Sequence, residues 1–169
     1  MADNRCKGVL LGMTAAGILM IAAAAVSAGT LEGIFKKSPA DVSKAAGVTE
    51  TAGAVKIPLK SLDPGKALFL SMDAGGRQVR YFALRSPDGA YRAALDACDV
   101  CYRSNKGYRQ EGDRMVCNNC GQTFASDRIG KAKGGCNPHP LANKVEAGSM
   151  VIAKSDISAG KEYFPGNGR

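Results

Sequence analysis

Five cysteines and one histidine lie in the second half of the chain at spacings typical of metal-binding sites. Two C-x-x-C pairs, Cys98/Cys101 and Cys117/Cys120, stand fifteen residues apart, and Cys136 follows the second pair at the same separation. A tight C-x-x-C turn directs both sulfurs at one centre while backbone N–H groups donate to them. The spacing therefore predicts a thiolate site for a metal ion or a cluster.

The third element of this pattern is a C-x-x-H pair, Cys136 and His139, in the segment "GGCNPHPL". Tetrahedral zinc needs four ligands, which the two C-x-x-C pairs already supply. A fifth cysteine is explained by an iron–sulfur cluster or by a second metal ion, for which His139 is a candidate ligand. The alternative for His139 is a solvated loop histidine between two prolines.

Two chemistries other than metal binding use cysteines at such spacings. A pure disulfide framework is disfavoured because the odd number of cysteines after the N-terminal segment leaves one thiol unpaired. A redox-active dithiol at Cys98 and Cys101 is the other alternative, but no thioredoxin-like βαβ pattern surrounds that pair.

The segments around the cysteines alternate apolar and polar residues with the period of β-strands. Apolar-rich runs at 54–62, 66–74, 77–86, 90–97 and 149–157 are separated by turn signals such as Ser86-Pro87-Asp88-Gly89. We expect a mostly β fold, a small antiparallel domain over residues 54–169, with the cysteine segment inserted between its strands. A hairpin that turns at Glu111-Gly112-Asp113 would bring the two C-x-x-C pairs together.

The N-terminus contains an uncharged apolar run, residues 8–31. As a helix it would span roughly 35 Å, enough for the hydrocarbon core of about 30 Å. We therefore predict one N-terminal transmembrane helix within residues 1–31 and a linker over 32–53. The alternative is a cleaved signal peptide, since small residues at 26–28 offer a cleavage site. An anchor with its N-terminus inside the cell and a cleaved signal both place the following domain on the periplasmic or extracellular side of a bacterial cytoplasmic membrane, which is the topology we expect. Only an anchor with its N-terminus outside would keep the domain in the cytoplasm.

The net charge of +8 is spread along the chain, and no basic run exceeds Lys36–Lys37. Nucleic-acid-binding proteins usually collect basic residues in a stripe or tract. We expect no nucleic-acid partner.

The segment "DACDVCYRSNKGYRQEGDRMVCNNCGQTF", followed by "GGCNP" and "VIAKSDISAGKEYF", resembles the FtrD-like family of membrane iron–sulfur proteins. The resemblance runs from about Ile57 to Phe164. It implies that the five cysteines, Cys98 to Cys136, bind an iron–sulfur cluster. It also implies a role in bacterial ferrous-iron uptake, in which electrons are accepted beside an iron permease and periplasmic copper or iron proteins.

The sequence therefore predicts a membrane-anchored metal-binding or iron–sulfur protein that transfers electrons in metal handling. A structural zinc module without redox function is the main alternative, and a thiol–disulfide oxidoreductase is a weaker one. Nothing resembles a Ser-His-Asp set, a phosphate-binding loop or paired catalytic carboxylates, so an enzyme is the less favoured class.

Overall fold

The computed structural model describes residues 46–62 and 65–166. The predicted transmembrane helix and most of the predicted linker lie outside these ranges. Within the described part of the chain, no helix is both long and apolar enough to span a bilayer.

The described residues form three antiparallel sheets, which confirms the mostly β prediction. The first sheet has the strand order β1-β2-β11-β10, the second β3-β4-β5-β9, and the third β6-β7-β8. In chain order the strands are β1 Thr49–Glu50, β2 Ala54–Pro58, β3 Leu68–Asp73, β4 Gln78–Arg85, β5 Tyr91–Leu95, β6 Tyr108–Glu111, β7 Arg114–Cys117, β8 Thr123–Ala125, β9 Pro140–Leu141, β10 Lys144–Glu146 and β11 Ser149–Ala153. One short helix, α1 Lys154–Ala159, follows β11.

The second sheet separates two apolar cores because both of its faces are covered. Along β4, Tyr81 and Ala83 join the larger core with residues of β2 and β11, whereas Phe82 and Leu84 join a smaller core. This assignment follows the two-residue period of a strand, which sends successive side chains to opposite faces. The smaller core contains Cys98 and residues of the third sheet. The cysteine segment is thus attached to the domain through buried apolar contacts.

The cysteine segment is inserted between β5 and β9, as the sequence predicts. These two strands pair with each other, with Ala93 opposite Leu141 and Ala94 opposite Pro140. Within the insertion, β6 and β7 form the predicted hairpin, in which Glu111 is paired with Arg114. Both ends of the insertion are therefore held at one edge of the second sheet.

Two details differ from the sequence-based expectation. The apolar run at 149–157 is a strand only to Ala153, and α1 then begins at Lys154. Alternation ends there, and Asp156 in the first helical turn is favourable for the helix dipole. Thr49 and Glu50, in the expected linker, form β1 on the edge of the first sheet.

Candidate metal centre

The structure brings the sulfur atoms of all five cysteines together. The Sγ atoms of Cys98, Cys101 and Cys136 lie within 4.8 Å of one another, and so do those of Cys101, Cys117 and Cys120. The Cys136 sulfur lies 3.6 Å from that of Cys101 and 3.5 Å from that of Cys120. Cys136 thus contacts one sulfur of each C-x-x-C pair. We refer to these five residues as the cysteine centre.

The first C-x-x-C pair forms the tight turn that its spacing predicts. The backbone N–H of Cys101 donates to the sulfur of Cys98 at 3.2 Å, and the N–H of Tyr102 donates to the carbonyl of Cys98 at 3.2 Å. A short 3-10 turn, Tyr102–Ser104, then leads the chain away from the sulfurs. The turn holds Cys98 and Cys101 with both sulfurs on the same side.

The second pair sits at the end of β7, where Gly121 permits a reversal of the chain. Gly121 has a φ of 74°, a conformation that favours glycine, and its N–H donates to the carbonyl of Cys117 at 2.9 Å. The N–H of Cys117 donates to the carbonyl of Gln122 at 2.9 Å, which closes the loop around Cys120. The hairpin therefore delivers this pair opposite the first one.

Cys136 is held by the smaller core and by one buried tyrosine. The hydroxyl of Tyr108 donates to the carbonyl of Cys136 at 2.6 Å, and the Tyr108 ring is buried against Phe82 and Phe124. On the N-terminal side, Gly134 has a φ of 86° and its carbonyl accepts the N–H of Asn137 at 3.2 Å. These contacts fix the backbone that presents the fifth sulfur.

An ion pair positions the loop between the two C-x-x-C pairs. The buried Asp96 carboxylate accepts the Tyr108 N–H at 2.6 Å and the Arg80 Nε–H at 3.1 Å. Arg80 also donates to the side-chain and backbone oxygens of Asn105, at 2.8 and 3.1 Å. A Cβ on Gly107 would overlap the Asp96 carboxylate, so only glycine allows this close approach. The hydrogen bonds of Asp96 and Arg80 therefore connect β4 directly to the start of β6.

Burial and hydrogen bonds give the thiols different acidities. Burial raises the pKa of Cys117 to about 11. The pKa of Cys136 is also raised by burial, and by its hydrogen bonds with the Cys120 and Cys101 thiols. The exposed Cys120 is the opposite case, because a hydrogen bond from the Gln122 backbone lowers its pKa to about 7. Cys120 is therefore more readily ionised than Cys117 or Cys136, and a bound cation would deprotonate those two thiols.

The chemistry of the donor set fits a thiolate-bound metal or cluster. Within residues 46–62 and 65–166 none of the five thiols is in a disulfide. Cys98 and Cys117 are only 1% and 2% exposed, so the inner side of the centre is shielded from water. Soft thiolate donors suit iron–sulfur clusters, zinc and cuprous copper. The residues present could hold any of these groups.

His139 lies beside the cysteine centre but outside the two groups of converging sulfurs. Its Nδ1 lies 3.0 Å from the Tyr163 hydroxyl, which donates to Asp99 Oδ1 at 2.5 Å. Burial and the hydrogen bond to Asp99 raise the pKa of Tyr163 to about 12. A role for His139 as a ligand of the cysteine centre stays a prediction.

The structure adds residues that the cysteine spacing does not indicate. Asp96, Arg80 and Tyr108 position the cysteine segment, and Asp99 and Tyr163 surround His139. Asp96, two residues before the first pair, and Asp99, inside that pair, are the local signals among them. The others are recognisable only once distant segments have been brought together.

Comparison with known proteins adds one finding. Residues 62–164, more than half of the chain, match the family described as "Membrane iron-sulfur containing protein FtrD-like". No curated protein and no solved structure matches the chain. The match contains all five cysteines of the centre, and the chain belongs to the FtrD-like family of membrane iron–sulfur proteins.

Proposed function

We propose that the cysteine centre binds an iron–sulfur cluster and transfers single electrons in bacterial metal handling linked to iron uptake. The observation that carries this proposal is the convergence of the five sulfurs from three separate chain segments. Such a group, when bound, supplies one-electron transfer at a potential set by its ligands and surroundings. The family description agrees with an iron–sulfur group.

The chain's own residues contribute position, shielding and hydrogen bonds. The N–H groups of Cys101 and Gln122 donate towards the sulfurs of Cys98 and Cys120. Hydrogen bonds to thiolate sulfur delocalise its charge and raise the reduction potential of the group that it holds. Cys98 and Cys117 are buried, whereas Cys120 is exposed. The exposed side is where an electron partner would approach.

The second candidate is a single tetrahedral ion such as structural zinc. Zinc–sulfur bonds of about 2.3 Å place tetrahedral thiolates roughly 3.8 Å apart. The sulfurs of Cys101, Cys117 and Cys120 lie within 4.8 Å of one another, so the two C-x-x-C pairs can approach one such ion. Zinc would hold the inserted cysteine segment together without redox chemistry.

The proposed setting is the bacterial cytoplasmic membrane, with the C-terminal domain on the periplasmic or extracellular side. The uncharged run at 8–31 and the family description support a membrane location. An iron permease and periplasmic metal or electron-transfer proteins are the proposed partners. A C-terminal fusion to alkaline phosphatase should be active, because that enzyme needs an oxidising compartment for its disulfides. An inactive phosphatase fusion, together with an active C-terminal fusion to a reporter that works only in the cytoplasm, would contradict this topology.

Metal analysis and a visible spectrum of the anaerobically purified full chain test the proposed cofactor. We expect iron and acid-labile sulfide, with sulfide-to-iron absorption that bleaches when dithionite is added. Cys117→Ser should remove the absorption, whereas Cys6→Ser, at the one cysteine of the sequence that is not part of the cysteine centre, should leave it unchanged. A colourless protein that contains stoichiometric zinc would contradict the cluster and support the second candidate.

A further inference from the structure

Three potential metal ligands of another chemical kind meet beside the first C-x-x-C pair. They are the Asp99 carboxylate, the His139 imidazole and the Tyr163 phenol. Tyr163 Oη lies 2.5 Å from Asp99 Oδ1 and 3.0 Å from His139 Nδ1, and these last two atoms are 3.6 Å apart. The three atoms form a compact triangle of two oxygens and one nitrogen.

The size of this triangle matches one face of a metal coordination sphere. Bonds of about 2.0–2.2 Å from nitrogen and oxygen donors place neighbouring ligand atoms roughly 2.8 to 3.6 Å apart. The Asp99–His139 and Tyr163–His139 separations, 3.6 and 3.0 Å, lie within this range. Only the Tyr163–Asp99 hydrogen bond, at 2.5 Å, would have to lengthen by a few tenths of an ångström.

Each ligand is held by a separate part of the fold. Asp99 lies inside the first C-x-x-C turn. The backbone N–H of His139 donates to the Ala97 carbonyl at 3.0 Å, which ties the histidine to the same turn. The Tyr163 ring packs between two other rings, with centroids 4.9 Å from His139 and 5.5 Å from Tyr102. These contacts hold the three ligand atoms close together, so little further ordering is needed for binding.

The triangle is open to solvent, unlike the inner cysteines. The side chains of Asp99 and His139 are 41% and 34% exposed. A surface cleft of about 330 Å³ is lined by Asp99, Tyr102, Glu162 and Tyr163. His139 lines a separate cleft of about 250 Å³, and the two clefts together leave room for an ion and the water molecules that would complete its coordination. Glu162 pairs with Arg77 at 3.3 Å and is not needed as a ligand.

We propose that Asp99, His139 and Tyr163 form a second metal site that binds ferric iron. Carboxylate and phenolate are hard anionic oxygens, which favour a small trivalent ion, and imidazole is a common ligand of iron. The bound Tyr163 gives up its phenolic proton to solvent, so that the oxygen bonds the ion. The site shares no ligand with the cysteine centre, and its band is read as the difference between spectra recorded before and after ferric iron is added, which subtracts the absorption of any group that the centre holds.

A titration of the purified full chain with ferric nitrilotriacetate, at neutral pH, tests this site. We expect one additional iron per chain and a new phenolate-to-iron charge-transfer band in the visible spectrum. Tyr163→Phe should abolish the band, and His139→Ala should weaken ferric binding by at least tenfold. Zn²⁺ at equal concentration should not displace the ion, because it is a softer divalent ion.

Two matched variants make the test specific. Tyr102→Phe keeps the ring that packs on Tyr163 and removes a neighbouring hydroxyl, so the band should persist. Cys120→Ser alters the cysteine centre and should also leave the band in place. Retention of the band in Tyr163→Phe, or its loss in Cys120→Ser, would assign the ferric ion to other ligands and overturn the proposal. If the unsubstituted chain shows no band, the three side chains form only a hydrogen-bonded group, and the proposal is likewise overturned.

Discussion

Replacement of Cys136 by serine separates a centre that uses the fifth thiol from a four-cysteine site that ignores it. The Cys136 sulfur is 3.6 Å from the sulfur of Cys101 and 3.5 Å from that of Cys120. A group bound to both C-x-x-C pairs would therefore touch Cys136. We expect Cys136→Ser to weaken metal binding and to alter the visible spectrum.

The expected magnitude follows from the number of ligands. Thiolate-rich structural zinc sites bind with about 10–16 kcal/mol, so each of four ligands contributes about 3 kcal/mol. A loss of this size corresponds to a weakening of affinity on the order of one hundredfold. If Cys136 is a spectator, exchange of sulfur for oxygen at a partly buried position should change affinity by about threefold or less.

Competition with a chelator of known affinity measures this difference directly. Both Cys136→Ser and the control Cys6→Ser are loaded with the same metal, and the chelator concentration that removes half of it is compared. Circular dichroism of both metal-free variants shows whether the three sheets are retained. Full metal occupancy, an unaltered spectrum and an unchanged chelator midpoint in Cys136→Ser would refute a five-cysteine centre.

Two further predictions concern groups that surround the centre. Asp96→Ala leaves the buried Tyr108 N–H and Arg80 without their acceptor, so we expect a loss of about 3 kcal/mol in the free energy of unfolding, measured by urea denaturation. Burial raises the pKa of Asp96 above its ordinary value of 3.8, so the native state binds this proton more tightly than the unfolded chain does. Stability should therefore fall as the pH rises from the unfolded-state pKa of Asp96 to its raised native-state pKa. Asp96→Asn should remove this pH dependence, and it should lower the free energy of unfolding by less than Asp96→Ala does. In the reduced metal-free protein, iodoacetamide should modify Cys120 before Cys117, at a rate that is half-maximal near pH 7, because the pKa of Cys120 is about 7 whereas that of Cys117 is about 11. Peptide mass mapping after short labelling times checks this order, and equal rates at both cysteines would contradict it.

The strands of four residues or more could be predicted because their patterns are local, whereas the shorter β1, β8, β9 and β10 were not predicted. The two-residue period of β4 identifies which of its side chains lie on each face of the sheet. The turn at Ser86–Gly89 joins β4 to β5, and the Gly89 N–H donates to the Ser86 carbonyl at 2.8 Å. The hairpin of β6 and β7 also follows from a local turn signal. The beginning of α1 was missed because the apolar run continues through Ile157, which is buried in the larger core as a helical residue.

The candidate site was only partly predictable for the same reason. Cysteine spacing identifies the five thiols, but it does not reveal that Cys136 contacts a sulfur of each pair. The contact of Tyr163 with Asp99 joins residues 64 positions apart, and no local pattern indicates it. Long-range contacts of this kind depend on how the sheets pack.

The pairing of β5 with β9 has a consequence for how the centre acquires its metal. The Leu95 N–H donates to the His139 carbonyl at 2.8 Å, so the inserted segment is already closed into a loop at its base. Bringing together the ends of a free loop of about forty residues costs roughly 3 kcal/mol in chain entropy. Backbone pairing supplies this closure independently of a metal, so the thiols would meet an incoming ion at a high effective concentration. The cysteine centre could then lose and regain its metal while the first and second sheets, whose strands lie outside the inserted segment, stay folded.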